Sequence, residues 1–184
     1  MAATPRRYLA FLRGMNVGGH RVSMDDLRRQ FDAMGFTRVE TFIASGNVIF
    51  DSDGRTAPAS LERTIEARLQ EALGYPVATF LRTPAELTDI VDRVPFHTSE
   101  LATPGHTVHV GFLRASPGDA LISRLAESAT RMDAFGTGTR EMYWLCRGRT
   151  TDSLVKWPMI EKAFALEVTM RNLTTVRKLV TRYG

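Results

Sequence analysis

The sequence contains one cysteine, Cys146, and only three lysines among its 184 residues. A single cysteine excludes an intramolecular disulfide and any cysteine-rich metal site. Cys146 ends the apolar run Met142–Cys146, which is typical of a buried strand. We therefore expect a buried structural thiol at this position and not a catalytic nucleophile.

Long apolar runs are also missing. No stretch approaches the roughly eighteen apolar residues that a membrane-spanning helix needs, and the chain reaches Tyr8 without the apolar core of a signal peptide. With 43% hydrophobic and 24% charged residues, the composition is that of a globular protein. We expect a cytoplasmic protein of one or two small domains with no membrane partner, and the composition leaves its oligomeric state open.

Several catalytic motifs are absent as well. The sequence has no Walker A loop, no G-x-G-x-x-G dinucleotide fingerprint and no G-x-S-x-G elbow. Its closest histidines, His106 and His109, would project to opposite faces of a strand, so we expect no metal site. These absences argue against nucleotide cofactors. The sequence also offers no residue that can be named as a general base or a nucleophile. The cofactor therefore stays unknown, and catalysis stays open.

The formal charge of +4 is unevenly distributed. Residues 1–94 hold twelve arginines against twelve acidic residues, whereas no acidic residue follows Glu167. A basic C-terminal helix could bind an anionic partner such as a nucleic acid, or its cations could simply complement the helix dipole. Strand Asn47–Phe50 lacks the RNA-binding pattern of an RRM, which argues against nucleic acid. The basic residues in question are Arg171, Arg177, Lys178 and Arg182.

The first half of the chain alternates short apolar runs with helical patterns. Ser23 and Asp26 form a capping-box pattern at the start of the first helix, and Pro58 stands at the start of the second. The resulting order of strand, helix, two strands, helix and strand is a split βαβ, or ferredoxin-like, unit with a trailing helix. The predicted strands are Tyr8–Arg13, Arg38–Ala44, Asn47–Phe50 and Val77–Leu81, and the predicted helices are 23–34, 58–73 and 83–93.

The second half repeats this order. A Pro-, Gly- and Ser-containing link, 95–105, separates the halves. We therefore predict an α+β protein of two ferredoxin-like (βαββαβ) repeats, 1–94 and 106–184, with antiparallel sheets covered by helices. The predicted elements are the strand Thr107–Arg114, a helix 117–130, strands 131–135 and 140–146 joined across the turn Gly136–Gly138, a helix 153–165 interrupted at Pro158, a strand 167–170, and a helix capped by Asn172.

This topology predicts a candidate site. In a split βαβ unit, the end of strand one lies beside the start of strand three, so loop Arg13–Gly19 should meet turn Ser45–Asn47. A guanidinium and glycine-rich backbone amides at one edge could bind a small anionic or polar ligand. The alternative is a non-catalytic interaction or scaffold protein, in which these glycines and asparagines only fix the turns.

Three ordered motifs resemble DUF1697, an uncharacterised bacterial family: Phe11–Gly19, Ser45–Phe50 and Thr169–Val176. The family's fold is similar to the predicted arrangement, and the resemblance implies no activity. Met15, Met170 and Leu173 depart from the usual Ile, Thr and Trp, and the loss of the Trp weakens any stacking role there. By position, the resemblance suggests which residues matter, and we take them as candidate ligand-binding residues: Arg13, Gly14, Asn16, Gly18, Gly19, Ser45, Gly46, Asn47, Arg171, Asn172 and Thr174.

Overall fold

The computed structural model describes residues 4–15, 19, 21–43, 46–155 and 157–184. The chain divides into two compact units, a first unit Met1–Pro84 and a second unit Ala85–Gly184. Each unit contains one four-stranded antiparallel sheet.

The first unit has the predicted strand order. Ser23 caps its first helix by accepting a hydrogen bond from the Asp26 amide at 3.0 Å, as the capping-box pattern predicts. Gly74 ends the second helix in a left-handed conformation, with φ of 80°. The elements are β1 (Arg6–Arg13), α1 (Met24–Ala33), β2 (Thr37–Thr41), β3 (Asn47–Ser52), α2 (Pro58–Leu73) and β4 (Ala78–Arg82), in the sheet order β2-β3-β1-β4.

The core of the first unit lies between the sheet and its two helices. Alternate residues of β1 face one side of the sheet because strand side chains alternate. Tyr8, Ala10 and Leu12 therefore share a buried cluster with Phe31 of α1 and Ile65 of α2. This packing fixes the position of β1 and of its C-terminal end at Arg13.

Helix α2 also closes the outer edge of β4. The carboxylates of Glu62 and Glu66 accept hydrogen bonds from the backbone amides of Leu81 and Thr79, each at 2.8 Å. An edge strand with unpaired amides can pair with another chain, so these two side chains protect the edge.

The second unit repeats the sheet order as β6-β7-β5-β8, which confirms the predicted fold class of two ferredoxin-like arrangements. Cys146 is buried, as expected. The elements are α3 (Pro84–Asp92), α4 (Thr98–Ala102), β5 (His106–Phe112), α5 (Asp119–Glu127), β6 (Asp133–Thr137), β7 (Glu141–Arg147), a 3₁₀ turn (Thr150–Asp152), α6 (Trp157–Ala163), β8 (Thr169–Asn172) and α7 (Leu173–Tyr183).

Two predicted features of the second half are wrong in detail. Gly136 belongs to β6, where it pairs with Tyr143, and not to the turn. Its missing side chain leaves room for the Pro95 ring, with which a Cβ would collide. The predicted helix 153–165 is shorter, because Pro158 stands near the start of α6, where proline is tolerated, and does not interrupt a longer helix.

Helix α3 follows β4 directly in sequence, and all of it after Pro84 belongs to the second unit. The limits of the sequence repeats, 1–94 and 106–184, stay a prediction. Within the described part of the chain, no helix is both long and apolar enough to span a membrane.

Candidate functional site

The end of β1 and the start of β3 meet at one edge of the first sheet. Phe11 pairs with Asn47 in the antiparallel ladder, and the Leu12 amide donates to the Gly46 carbonyl at 2.9 Å. These bonds place the last residues of β1 beside Gly46 and Asn47, as the topology predicts for the end of strand one and the start of strand three.

Two glycines allow this close approach. Gly46 has a φ of 72°, and a Cβ there would lie 2.9 Å from Met15 Cγ and 3.2 Å from Leu12 Cβ. Gly14, with a φ of 84°, has the left-handed conformation that side chains disfavour. The turn therefore packs directly against the first residues of the loop.

Asn47 holds the turn from inside. Its side chain is only 2% exposed, and Nδ2 donates to the Phe42 carbonyl at 2.9 Å. The Phe42 amide in turn donates to the Asn47 carbonyl at 3.0 Å. The carboxamide donor thus closes the β2–β3 connection within the protein.

The other candidate ligand-binding residues of the first unit do not share one environment. Arg13 is partly buried at the end of β1, opposite Ala78 of β4. Gly19 is exposed and has a φ of 85°. The remaining three, Asn16, Gly18 and Ser45, lie outside the described residues.

The C-terminal motif belongs to the second unit, where its side chains form internal hydrogen bonds. Arg171 is 8% exposed, and its Nη1 donates to Thr169 Oγ1 at 2.9 Å and to the Met170 carbonyl at 2.8 Å. Burial lowers the pKa of Arg171 to about 10. Asn172 Oδ1 accepts from the Thr174 amide at 2.8 Å and caps α7.

The burial of Arg171 corrects the interpretation of the basic C-terminus. Four cations follow Glu167, but Arg171 lies in the interior and cannot contribute to a basic surface. The three exposed cations are Arg177, Lys178 and Arg182, so the electrostatic argument for nucleic acid becomes weaker.

Asn172 and Thr174 also line a small polar cavity of about 120 Å³. Other walls come from α4, β5 and α7, with Glu100, His106 and Arg177 among them. Arg147 and, to a smaller extent, His106 bond to Glu100 and hold the pKa of its carboxyl below the usual value. The cavity has room for little more than solvent or a small ion.

A larger cavity of about 460 Å³ was not anticipated from the sequence. It lies between α3 and the β6–β7 turn, a segment that the sequence presented only as a hairpin turn. The signal was Glu141, an acidic residue that is 5% exposed and lies directly before the apolar run Met142–Cys146. The lining residues are Glu86, Asp89, Ile90, Arg93, Thr137, Gly138, Thr139, Arg140, Glu141 and Tyr143.

A metal site has no support in the described part of the chain. There, no group of three or more His, Cys, Asp or Glu side chains could hold a metal ion.

Comparisons with known proteins agree with this description. The sequence matches the family described as "Protein of unknown function (DUF1697)" over residues 6–143. The chain belongs to the DUF1697 family. A similar solved structure is that of the conserved bacterial protein SP0830 from Streptococcus pneumoniae, with 20% identity and a TM-score of 0.79, over 98% of this chain and 100% of that one. No curated protein matches the sequence. The solved structure supports the fold, and neither the family nor that structure assigns an activity.

Proposed function

We propose that the first unit binds a small anionic or polar ligand at loop Arg13–Gly19, beside turn Ser45–Asn47. The hydrogen bond from the Leu12 amide to the Gly46 carbonyl carries this proposal, because it brings the strand end bearing Arg13 against the glycine turn. Left-handed glycines on both segments support it, since backbone amides in such turns can converge on an anion.

The neighbouring helix α1 contributes little to this site. Asp25 and Asp26 stand in its first turn and already neutralise the positive end of the helix dipole. Ser23 and Arg29 bond to Asp26 and hold the pKa of its carboxyl below the usual value. The ligand's negative charge would therefore lie against the loop amides and Arg13, with a phosphate or carboxylate as the expected group.

The experiment is a thermal-shift titration with inorganic phosphate and small carboxylates, comparing Arg13→Ala with Arg114→Ala. Arg114 is a matched control, because the second repeat has the same strand end, with the Leu113 amide donating to the Arg140 carbonyl at 2.9 Å. A ligand at a hundred times its dissociation constant should add about 2.7 kcal/mol to the free energy of unfolding. We expect Arg13→Ala alone to abolish the shift. Loss in both variants, or in neither, contradicts the proposal.

A scaffold role is the second candidate, and the internal hydrogen bonds of Asn47 and Asn172 favour it. In that case the family motifs fix turns and helix ends, and the protein acts through a macromolecular partner. If none of the small anions gives a shift, this candidate leads. Binding to a protein partner should then survive Arg13→Ala.

A further inference from the structure

The cavity of about 460 Å³ in the second unit has a polar and largely buried floor. Its volume falls within the range of pockets that take small molecules. Glu141 and Tyr143 stand two residues apart on β7 and share one face of the strand, with exposures of 5% and 1%. The absence of a side chain at Gly138 makes room for both, since a Cβ there would lie 2.9 Å from Glu141 Oε2 and 3.5 Å from Tyr143 Oη.

The side chains at the floor of the cavity can accept hydrogen bonds from a ligand. Tyr143 Oη donates its proton to the Ile90 carbonyl at 2.9 Å, so its oxygen can only accept further hydrogen bonds. Burial and the nearby Glu141 charge raise the pKa of Tyr143 by more than the Arg93 charge lowers it, so the phenol keeps its proton near neutral pH. Glu141 Oε2 accepts from the Arg140 amide at 3.0 Å, and a carboxylate has no proton to donate.

The charges around the cavity also favour a cation. Three carboxylates line it, and Glu86 Oε1 lies 2.7 Å from Arg140 Nη2 in an ion pair. The other two carboxylates are those of Asp89 and Glu141. Among the described residues, the lining contains only two cations, Arg93 and Arg140, so its formal charge is negative by one unit. A partly enclosed site with excess negative charge attracts cations more strongly than an exposed surface does.

We propose that this cavity binds a small aliphatic molecule that carries a protonated amine, with the ammonium against Glu141 and Tyr143. An ammonium supplies several donors and a positive charge, which complement two buried acceptors. The proposal is independent of the anion site in the first unit, and Arg13→Ala should not affect it.

The test is an NMR titration of the ¹⁵N-labelled full chain with 1,4-diaminobutane, compared with 1,4-butanediol, which has the same shape and no charge. We expect the diamine alone to shift the amide signals of Gly138 and Thr139. In Glu141→Gln, the loss of one charged contact should weaken diamine binding about tenfold or more. Glu127→Gln is the control, because it removes one exposed negative charge outside the cavity.

The proposal is overturned by no shift with the diamine, by equal binding of the diol, or by unchanged diamine affinity in Glu141→Gln. If Glu141→Gln does not fold, Asp89→Asn at the cavity wall takes its place, with a smaller but measurable loss of affinity expected. An equal loss in Glu127→Gln would show that only the net charge matters, and this result also contradicts a built site.

Discussion

The two repeats place different side chains at one equivalent position. Phe11 pairs with Asn47 in the first sheet, and Phe112 pairs with Glu141 in the second. The adjoining backbone hydrogen bonds match as well. The Leu12 amide donates to the Gly46 carbonyl, and the Leu113 amide donates to the Arg140 carbonyl, both at 2.9 Å. Asn47 and Glu141 are therefore equivalent, and both are buried, with exposures of 2% and 5%.

The difference between these residues lies in their donors. A carboxamide both donates and accepts, so Asn47 can close its own connection by donating to the Phe42 carbonyl. A carboxylate only accepts, so Glu141 accepts from the Arg140 amide and lines a cavity. One topological position thus stabilises a turn in the first repeat and, in our proposal, recognises a ligand in the second.

The largest expected loss of stability comes from replacing Asn47 of the first repeat with an acidic residue. Asn47→Asp removes the donor to Phe42 and buries a charge opposite a carbonyl, which should cost about 3 kcal/mol of unfolding free energy. Urea denaturation at pH 7 measures this loss. The loss should shrink at acid pH, because a protonated carboxyl can again donate.

Asn47→Ala is the control for this prediction. It removes the same donor without adding a charge, so its cost should be smaller and independent of pH. If the two variants lost equal stability at every pH, the comparison based on donors would fail.

Asp51 gives the next largest effect. It is a buried carboxylate of β3 that bonds Arg38 and also Arg7, whose Nε lies at 2.8 Å. Burial raises the pKa of Asp51, but the hydrogen bonds and charges of the two arginines outweigh burial and lower it overall. Asp51→Asn should therefore cost about 2 kcal/mol at neutral pH.

The pH dependence of that cost has a defined sign. A carboxyl with a lowered pKa stabilises the fold fully above its unfolded pKa of about 3.9, and loses that contribution as the pH falls through its folded pKa. Wild type and Asp51→Asn should therefore differ by a constant amount from pH 5 to pH 8 and converge below about pH 4. A difference that grew in acid would contradict this assignment.

Much of the fold could be predicted because local patterns and topology agree. Ser23 capping and the Pro58 start gave α1 and α2, and chain order alone placed the end of β1 beside the start of β3. The register of the strands then follows from the requirement that one face of the sheet be buried. The exact limits of β6 and α6 could not be predicted from hydrophobic periodicity. Gly136 packs against Pro95, a contact between residues distant in sequence. Pro158 is compatible both with a helix interruption and with a helix start, and only the structure distinguishes the two.

The candidate site could be predicted only in part. Sequence placed loop and turn together, but it could not show that Asn47 donates inward or that Arg171 is buried. Both facts depend on side-chain direction and on neighbours distant in sequence. The cavity beside Glu141 was missed for the same reason, since α3 lies some fifty residues before β7 in the chain.

The comparison also predicts a small effect at Glu141. Glu141→Gln keeps an oxygen that can accept from the Arg140 amide and removes a buried charge, so we expect stability to change by less than about 1 kcal/mol. Thermal denaturation measures this change. A loss as large as that of Asn47→Asp would mean that Glu141 is mainly structural.

The smallest effect is expected at the strand end of the second repeat. Arg114 Nε lies 2.7 Å from Glu167 Oε2, and both side chains are partly exposed, at 34% and 52%. Exposed ion pairs contribute little, so Arg114→Ala should cost about 0.5 kcal/mol or less, and added salt should reduce that cost further. Denaturation at low and high ionic strength measures both values. A loss of several kcal/mol that resisted salt would show that Arg114 supports the fold, and it could then no longer serve as the inert counterpart of Arg13.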